Sequence, residues 1–141
     1  MLVFHLRDTA PAARAVNRAI REAYPRPDAV TVASVLDLSI VPPLYWGAVG
    51  LELSRAYRSA VEELPDSMPP DADPADYVII LPDWSGLTAR RFGARDTNRA
   101  AAVVVIDAES RVAGAHTGAK GAAGEDLSAA VIETLRGLVP N

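Results

Sequence analysis

There is no cysteine anywhere in these 141 residues. Thiolate nucleophiles, disulfide exchange and thiolate-bound metals all require a sulfur that ionises, so the chain performs none of that chemistry with its own side chains. Lysine is almost as scarce: Lys120 is the sole lysine among 14 basic residues, which leaves little room for Schiff-base chemistry. The basic residues do not cluster and the formal charge is −4, whereas a nucleic-acid partner needs a basic face to neutralise phosphates. No nucleic acid is therefore expected. No apolar run approaches the roughly 20 residues of a membrane span; the longest candidate, Ile40 to Leu51, is too short and holds two prolines. The chain opens on Leu2-Val3-Phe4-His5-Leu6, without the charged start and long apolar stretch of a signal peptide, so a cytoplasmic protein is expected.

Other signatures are missing as well. His5 and His116 are the only histidines, too few for a strong metal or triad signal, and structural roles are expected for both. Ser34, Ser39 and Ser85 lack a Gly-x-Ser-x-Gly context. Gly118-Ala119-Lys120-Gly121 lacks the spacing of a P-loop and the Ser or Thr after its lysine. No metal or cofactor is implied.

What remains is a chain with half its residues apolar and 23% charged, enough to bury one core over residues 1–141 as a single domain. Leu2 to Leu6 reads as a buried strand. Asp8 or Thr9 is placed to cap a helix with Pro11 in its first turn. Ala12, Val16, Ala19, Ile20 and Ala23 share one helical face, with Arg14, Asn17, Arg18, Arg21 and Glu22 on the others, until Pro25 stops the helix. Val30 to Leu38 is a β-branched second strand, uniformly apolar as in a parallel sheet. Pro42-Pro43 opens a long helix over about 44–64, with Val49, Leu53, Ala56, Tyr57, Ala60, Val61 and Leu64 at helical spacing. Residues 65–76 hold four prolines and four aspartates and read as an internal linker. A third strand over 77–81, the turn Asp83-Trp84-Ser85-Gly86 and a short helix over 87–92 follow. A hairpin built from 101–106 and 111–116 comes next, then a last helix over 125–138 with Ala130, Val131, Leu135 and Leu138 buried. The order β-α-β-α-β-α-β-β-α predicts an α/β fold: a three-layer α/β/α sandwich with a mixed sheet and a C-terminal β-hairpin.

At this level the chain resembles the thioredoxin-like superfamily, in particular its peroxiredoxin-like and thiol-disulfide-oxidoreductase-like branch. The segment from Leu2 to Ala12 is similar to the family's first strand and redox helix, and Thr31 to Asp37 to its second strand. Leu81-Pro82-Asp83-Trp84-Ser85-Gly86 with Ala89-Arg90-Arg91-Phe92-Gly93 is similar to the inserted strand-turn-helix. Ala102 to Asp107 with Arg111-Val112 is similar to its hairpin. The resemblance implies a thioredoxin-like frame and puts Thr9 and Ala12 where the family keeps its two cysteines, and Ala101 where it keeps a cis-proline. A non-proline cis bond costs about 3 kcal/mol, so a trans bond is expected there. The chemistry that the frame implies is therefore absent at each position.

Ligands of α/β sheets sit beyond the carboxyl ends of parallel strands. That edge gathers Asp8, Thr9, Asp37, Ser39, Asp83 and Trp84, with Arg90 or Arg91 in reach; Arg91 is the arginine assigned to this candidate pocket. The carboxylates suit acid–base work or a cation; equally, Asp8 suits a helix cap and Asp37 and Asp83 suit turns. A second feature is Val41-Pro42-Pro43-Leu44-Tyr45-Trp46, where Leu44, Tyr45 and Trp46 read either as core cover or as interface anchors. Two functions follow. The favoured one is a redox-inactive binding or protein-interaction module, a homodimer or the partner of another protein. The alternative is an enzyme with non-thiol chemistry at the strand-end edge, cation-assisted or not.

Overall fold

A computed structural model describes residues 1–64 and 72–139. Five strands form one mixed sheet: β1 (Leu2–Phe4), β2 (Ala33–Asp37), β3 (Ile79–Asp83), β4 (Ala102–Ile106) and β5 (Val112–Thr117). Their spatial order is β3-β2-β1-β4-β5. The first three run parallel, while β4 lies antiparallel to both β1 and β5. Among the described residues four α-helices accompany the sheet: α1 (Ala10–Ala23), α2 (Trp46–Glu62), α3 (Leu87–Arg91) and α4 (Glu125–Arg136).

Side chains alternate across each strand, and this divides the core in two. On one face Val3, Val103 and Val105 meet Ala13, Val16 and Ile20 of α1 and Leu127, Val131 and Leu135 of α4. On the other, Phe4, Val35, Ala102 and Val104 meet Ala89 of α3 and Ala94, with Phe92 packed on Phe4 at 6.0 Å between ring centroids. Helices thus cover both faces of the sheet. Among the described residues no helix is long and apolar enough to cross a membrane.

Proline sets several boundaries as expected. Pro11 lies in the first turn of α1, and Pro25 follows its C-cap Tyr24. A single 3-10 turn, Pro43–Tyr45, leads into α2. The linker read over 65–76 falls mainly outside the described residues; its tail forms a 3-10 turn, Pro74–Asp76, in which the Asp73 carboxylate accepts the Ala75 N–H at 2.9 Å. The third strand begins and ends two residues later than the sequence suggests. It runs through Pro82, which a sheet tolerates at an edge strand.

Three expectations about burial need correction. Arg21, assigned to a polar face, is 95% buried. In α4 Leu127 and Ser128 are buried and Ala130 is exposed, and Leu138 lies exposed beyond the end of the helix. Most tellingly, α2 buries none of its side chains fully. Its apolar stripe is half covered at Val49, Leu53, Ala60 and Val61, while Ala56 and Tyr57 are exposed. Helical spacing decides which residues share a face; it does not decide how closely the helix approaches the sheet.

Candidate functional site

The junction of β1 and α1 brings together the first group of candidate residues. Thr9 is the N-cap of α1 but does not cap it with its side chain. Its hydroxyl accepts the Leu6 N–H at 3.0 Å and donates to the Thr97 carbonyl at 2.6 Å. Thr9 therefore ties the helix entry to the loop before β4 instead of facing a ligand. Asp8 is exposed and makes no capping contact either, so the helix cap expected of Asp8 or Thr9 is absent. Ala12 is buried in the first turn of α1, where its carbonyl and Cα lie against Gly124 at the start of α4. Ala101 is buried, its carbonyl accepts the Gly118 N–H at 2.9 Å, and its peptide bond is trans. None of the three positions offers a group that ionises.

The carboxyl ends of β2 and β3 hold the second group. Asp37 and Asp83 stand opposite each other in the ladder. Asp37 accepts both the backbone N–H and the hydroxyl of Ser39, at 3.0 and 2.6 Å, and so forms a tight turn. Asp83 is buried and accepts the Ala89 N–H at 3.0 Å and the Ser85 hydroxyl at 3.2 Å. Burial alone raises the carboxyl pKa of Asp83, but the Ala89 N–H, the Ser85 hydroxyl and the Thr88 and Gly86 N–H groups outweigh it. They hold the group below the ordinary carboxylate value. Asp83 thereby anchors the start of α3. Arg90, not Arg91, turns back to this edge. Its Nη2 donates to the Ser85 carbonyl at 2.7 Å and its Nη1 converges with Asp37 and Ser39 over Gly86. Arg91 is exposed. Adjacent helical residues point about 100° apart, which a short segment's sequence does not resolve. Among the described residues no three His, Asp or Glu side chains are grouped to hold a metal.

Trp84 leaves this cluster for a third group. Its ring meets that of Trp46 at 5.1 Å between centroids, and Trp46 Nε1 donates to the Val41 carbonyl at 3.2 Å. Around the pair lies an open apolar surface: Ile40 is 78%, Leu44 86% and Tyr45 57% exposed. These residues do not cover the core.

A cavity of about 220 Å³ lies elsewhere, between α1, α2 and the strands β2 and β3. Val32, Leu36 and Ile80 give it an apolar floor, and Asn17 and Arg21 of α1 enter its wall. A shallow groove runs beside it along β3, lined by Leu53, Tyr57 and Pro82. Thr9, Asp37 and Asp83 line neither, so neither hollow joins the three residues that the non-thiol enzyme reading would need. The cavity was not legible in the sequence. The one signal for it was the stripe Arg14, Asn17, Arg18 and Arg21 on a single helix whose one acid is Glu22, four residues after Arg18.

His5 borders the same cavity. Burial, with a smaller contribution from Arg14, lowers its pKa despite the opposing bond to the Leu6 carbonyl. The folded state thus holds a neutral imidazole where the unfolded chain protonates at about pH 6.5. As pH falls through that value the unfolded state gains the proton first, so stability should decline as the solution is acidified from pH 7. Urea titrations of wild type and His5→Gln across this range should show a flatter profile in the variant; equal slopes would mean that His5 is not the responsible group.

No family model, no curated protein and no solved structure matches the chain. What the residues themselves establish is an α/β chain with a mixed five-stranded sheet that is not a cysteine-dependent oxidoreductase or peroxidase.

Proposed function

We propose that the chain is a thioredoxin-like domain of the peroxiredoxin-like branch that keeps the frame without the redox site, and that it works as a non-catalytic protein-interaction module. Several features support the frame. A central strand runs into the helix whose first turn holds Thr9 and Ala12, a parallel strand lies on one side of it, and an antiparallel hairpin followed by a packed helix closes the other. The extra strand β3 and helix α3 are in keeping with the family's inserted strand-turn-helix.

The observation that carries the interaction role is the exposed apolar face at Ile40, Leu44, Tyr45 and Trp46. Large side chains left in water at this density mark contact surfaces. Leu38 through Leu51 include no charged residue. Two such faces brought together meet no like-charge repulsion, so the occupant that fits is a second copy of the chain in a symmetric pair. Sedimentation equilibrium should show a dimer for wild type. Leu44→Glu should shift it to monomer with an unchanged urea midpoint, since Leu44 supports nothing in the fold. A wild-type monomer at high micromolar concentration, or a Leu44→Glu dimer of equal affinity, would count against the proposal.

A further inference from the structure

We infer that the cavity between α1 and α2 is a binding site for a small organic carboxylate with an apolar body. It lies apart from the interaction face and does not depend on it. Arg21 sits in its wall, 95% buried. One arm of the guanidinium is used: Nη1 donates to the Val30 carbonyl at 2.9 Å, and the group lies over the Tyr77 ring at 5.3 Å from its centroid. The other arm, Nη2, is buried with no hydrogen-bond partner among the described residues, and so is Asn17 Oδ1, one helical turn earlier in the same wall. Buried polar atoms are nearly always satisfied, and a charged donor left bare is the most costly kind. An unpartnered guanidinium arm and an unpartnered amide oxygen, one helical turn apart on residues of one cavity wall, describe a site for a polar head.

The sign of the head follows from the charges around it. Arg14, Arg18 and Arg21 all line the cavity; among the described residues the one acid that lines it is Glu63, which stands 3.9 Å from Arg14. An anion is favoured, and a planar carboxylate matches a guanidinium arm. Asn17 takes part in either rotamer: its amide nitrogen donates to the carboxylate, or its oxygen accepts from a hydroxyl beside it. The body must be apolar, because Val32, Leu36 and Ile80 form the floor with Ala13 and Ala60 beside them. The volume sets its size. A dry apolar cavity of about 150 Å³ takes benzene, so about 220 Å³ suits a ring or short chain that also carries a carboxylate.

Calorimetric titration of the full chain tests this with four probes: benzoate and hexanoate, acetate as head without body, and benzyl alcohol as body without charge. Benzoate or hexanoate should bind, with acetate and benzyl alcohol each weaker by roughly tenfold or more. Arg21→Met should weaken the carboxylate by a similar factor while leaving benzyl alcohol little changed. Ala60→Phe, on the loosely packed helix α2, should fill the cavity and abolish binding with the fold intact, which keeps the test decisive if Arg21→Met does not fold. Three results would overturn the inference: no binding by either carboxylate up to millimolar concentration, equal binding of benzoate and benzyl alcohol, or unchanged carboxylate affinity in Ala60→Phe.

Discussion

Gly124→Ala should lower stability by about 2–5 kcal/mol, the sum of a left-handed backbone penalty and forced overpacking. Gly124 has φ +96° immediately before α4, and an added Cβ would stand 2.7 Å from the Ala12 carbonyl oxygen and 2.9 Å from its Cα. Both are backbone atoms in the first turn of α1, locked among Ala13, Val16 and Leu127 of the core, so neither helix can yield cheaply. Gly86 is the control. It too has positive φ, and its Cβ would also meet atoms within 2.9 Å, but these are the ends of Ser39, Arg90 and Asp37 side chains, which can swing away. Gly86→Ala should cost about 1–2 kcal/mol, mostly from the backbone term. Urea unfolding of both variants reads the difference. Equal losses would mean that the α1–α4 contact is looser than its geometry implies.

Asp83→Ala should cost about 2–3 kcal/mol at neutral pH, because it leaves the buried Ala89 N–H bare and frees the start of α3. The pH dependence separates this from general damage. The Asp83 pKa is lowered in the fold, so its contribution is complete above the unfolded carboxylate value near 3.9 and is lost as pH falls through the lower folded value. Wild type and Asp83→Ala should therefore differ most at pH 7 and converge as pH falls below the unfolded carboxylate value. A gap that persists unchanged in acid would assign the loss to packing rather than to the carboxylate. Asp83→Asn should fall between them, since an amide oxygen keeps one acceptor.

The residues that were legible in advance are those whose local chemistry allows one outcome. Pro11 and Pro25 bracket α1, and the run from Ala102 to Ile106 can only be a buried strand. A mixed sheet followed from element order, but the closing hairpin suggested an antiparallel edge, whereas the antiparallel strand is β4, inside the sheet beside β1. What stayed hidden depends on distance between elements. The pattern of α2 gave its face but not its stand-off from the sheet, so the cavity beneath it and the burial of Arg21 were invisible. Thr9 looked like a helix cap because its position is one; Thr97, far along the chain, claims its hydroxyl instead. The edge residues Asp37, Ser39 and Asp83 do come together, yet as a turn and a helix anchor, with Arg90 in the place given to Arg91.

The interaction face carries its own reporter. Trp46 and Trp84 are the only tryptophans in the chain, and they stand together on that face, so intrinsic tryptophan emission reads nothing else. Burial of this face against a second copy should shift the emission maximum to shorter wavelength as concentration rises from nanomolar to high micromolar, and Leu44→Glu should stay at the long-wavelength value throughout. An emission maximum that does not move with concentration in wild type, or that moves identically in Leu44→Glu, would contradict self-association through Leu44, Tyr45 and Trp46.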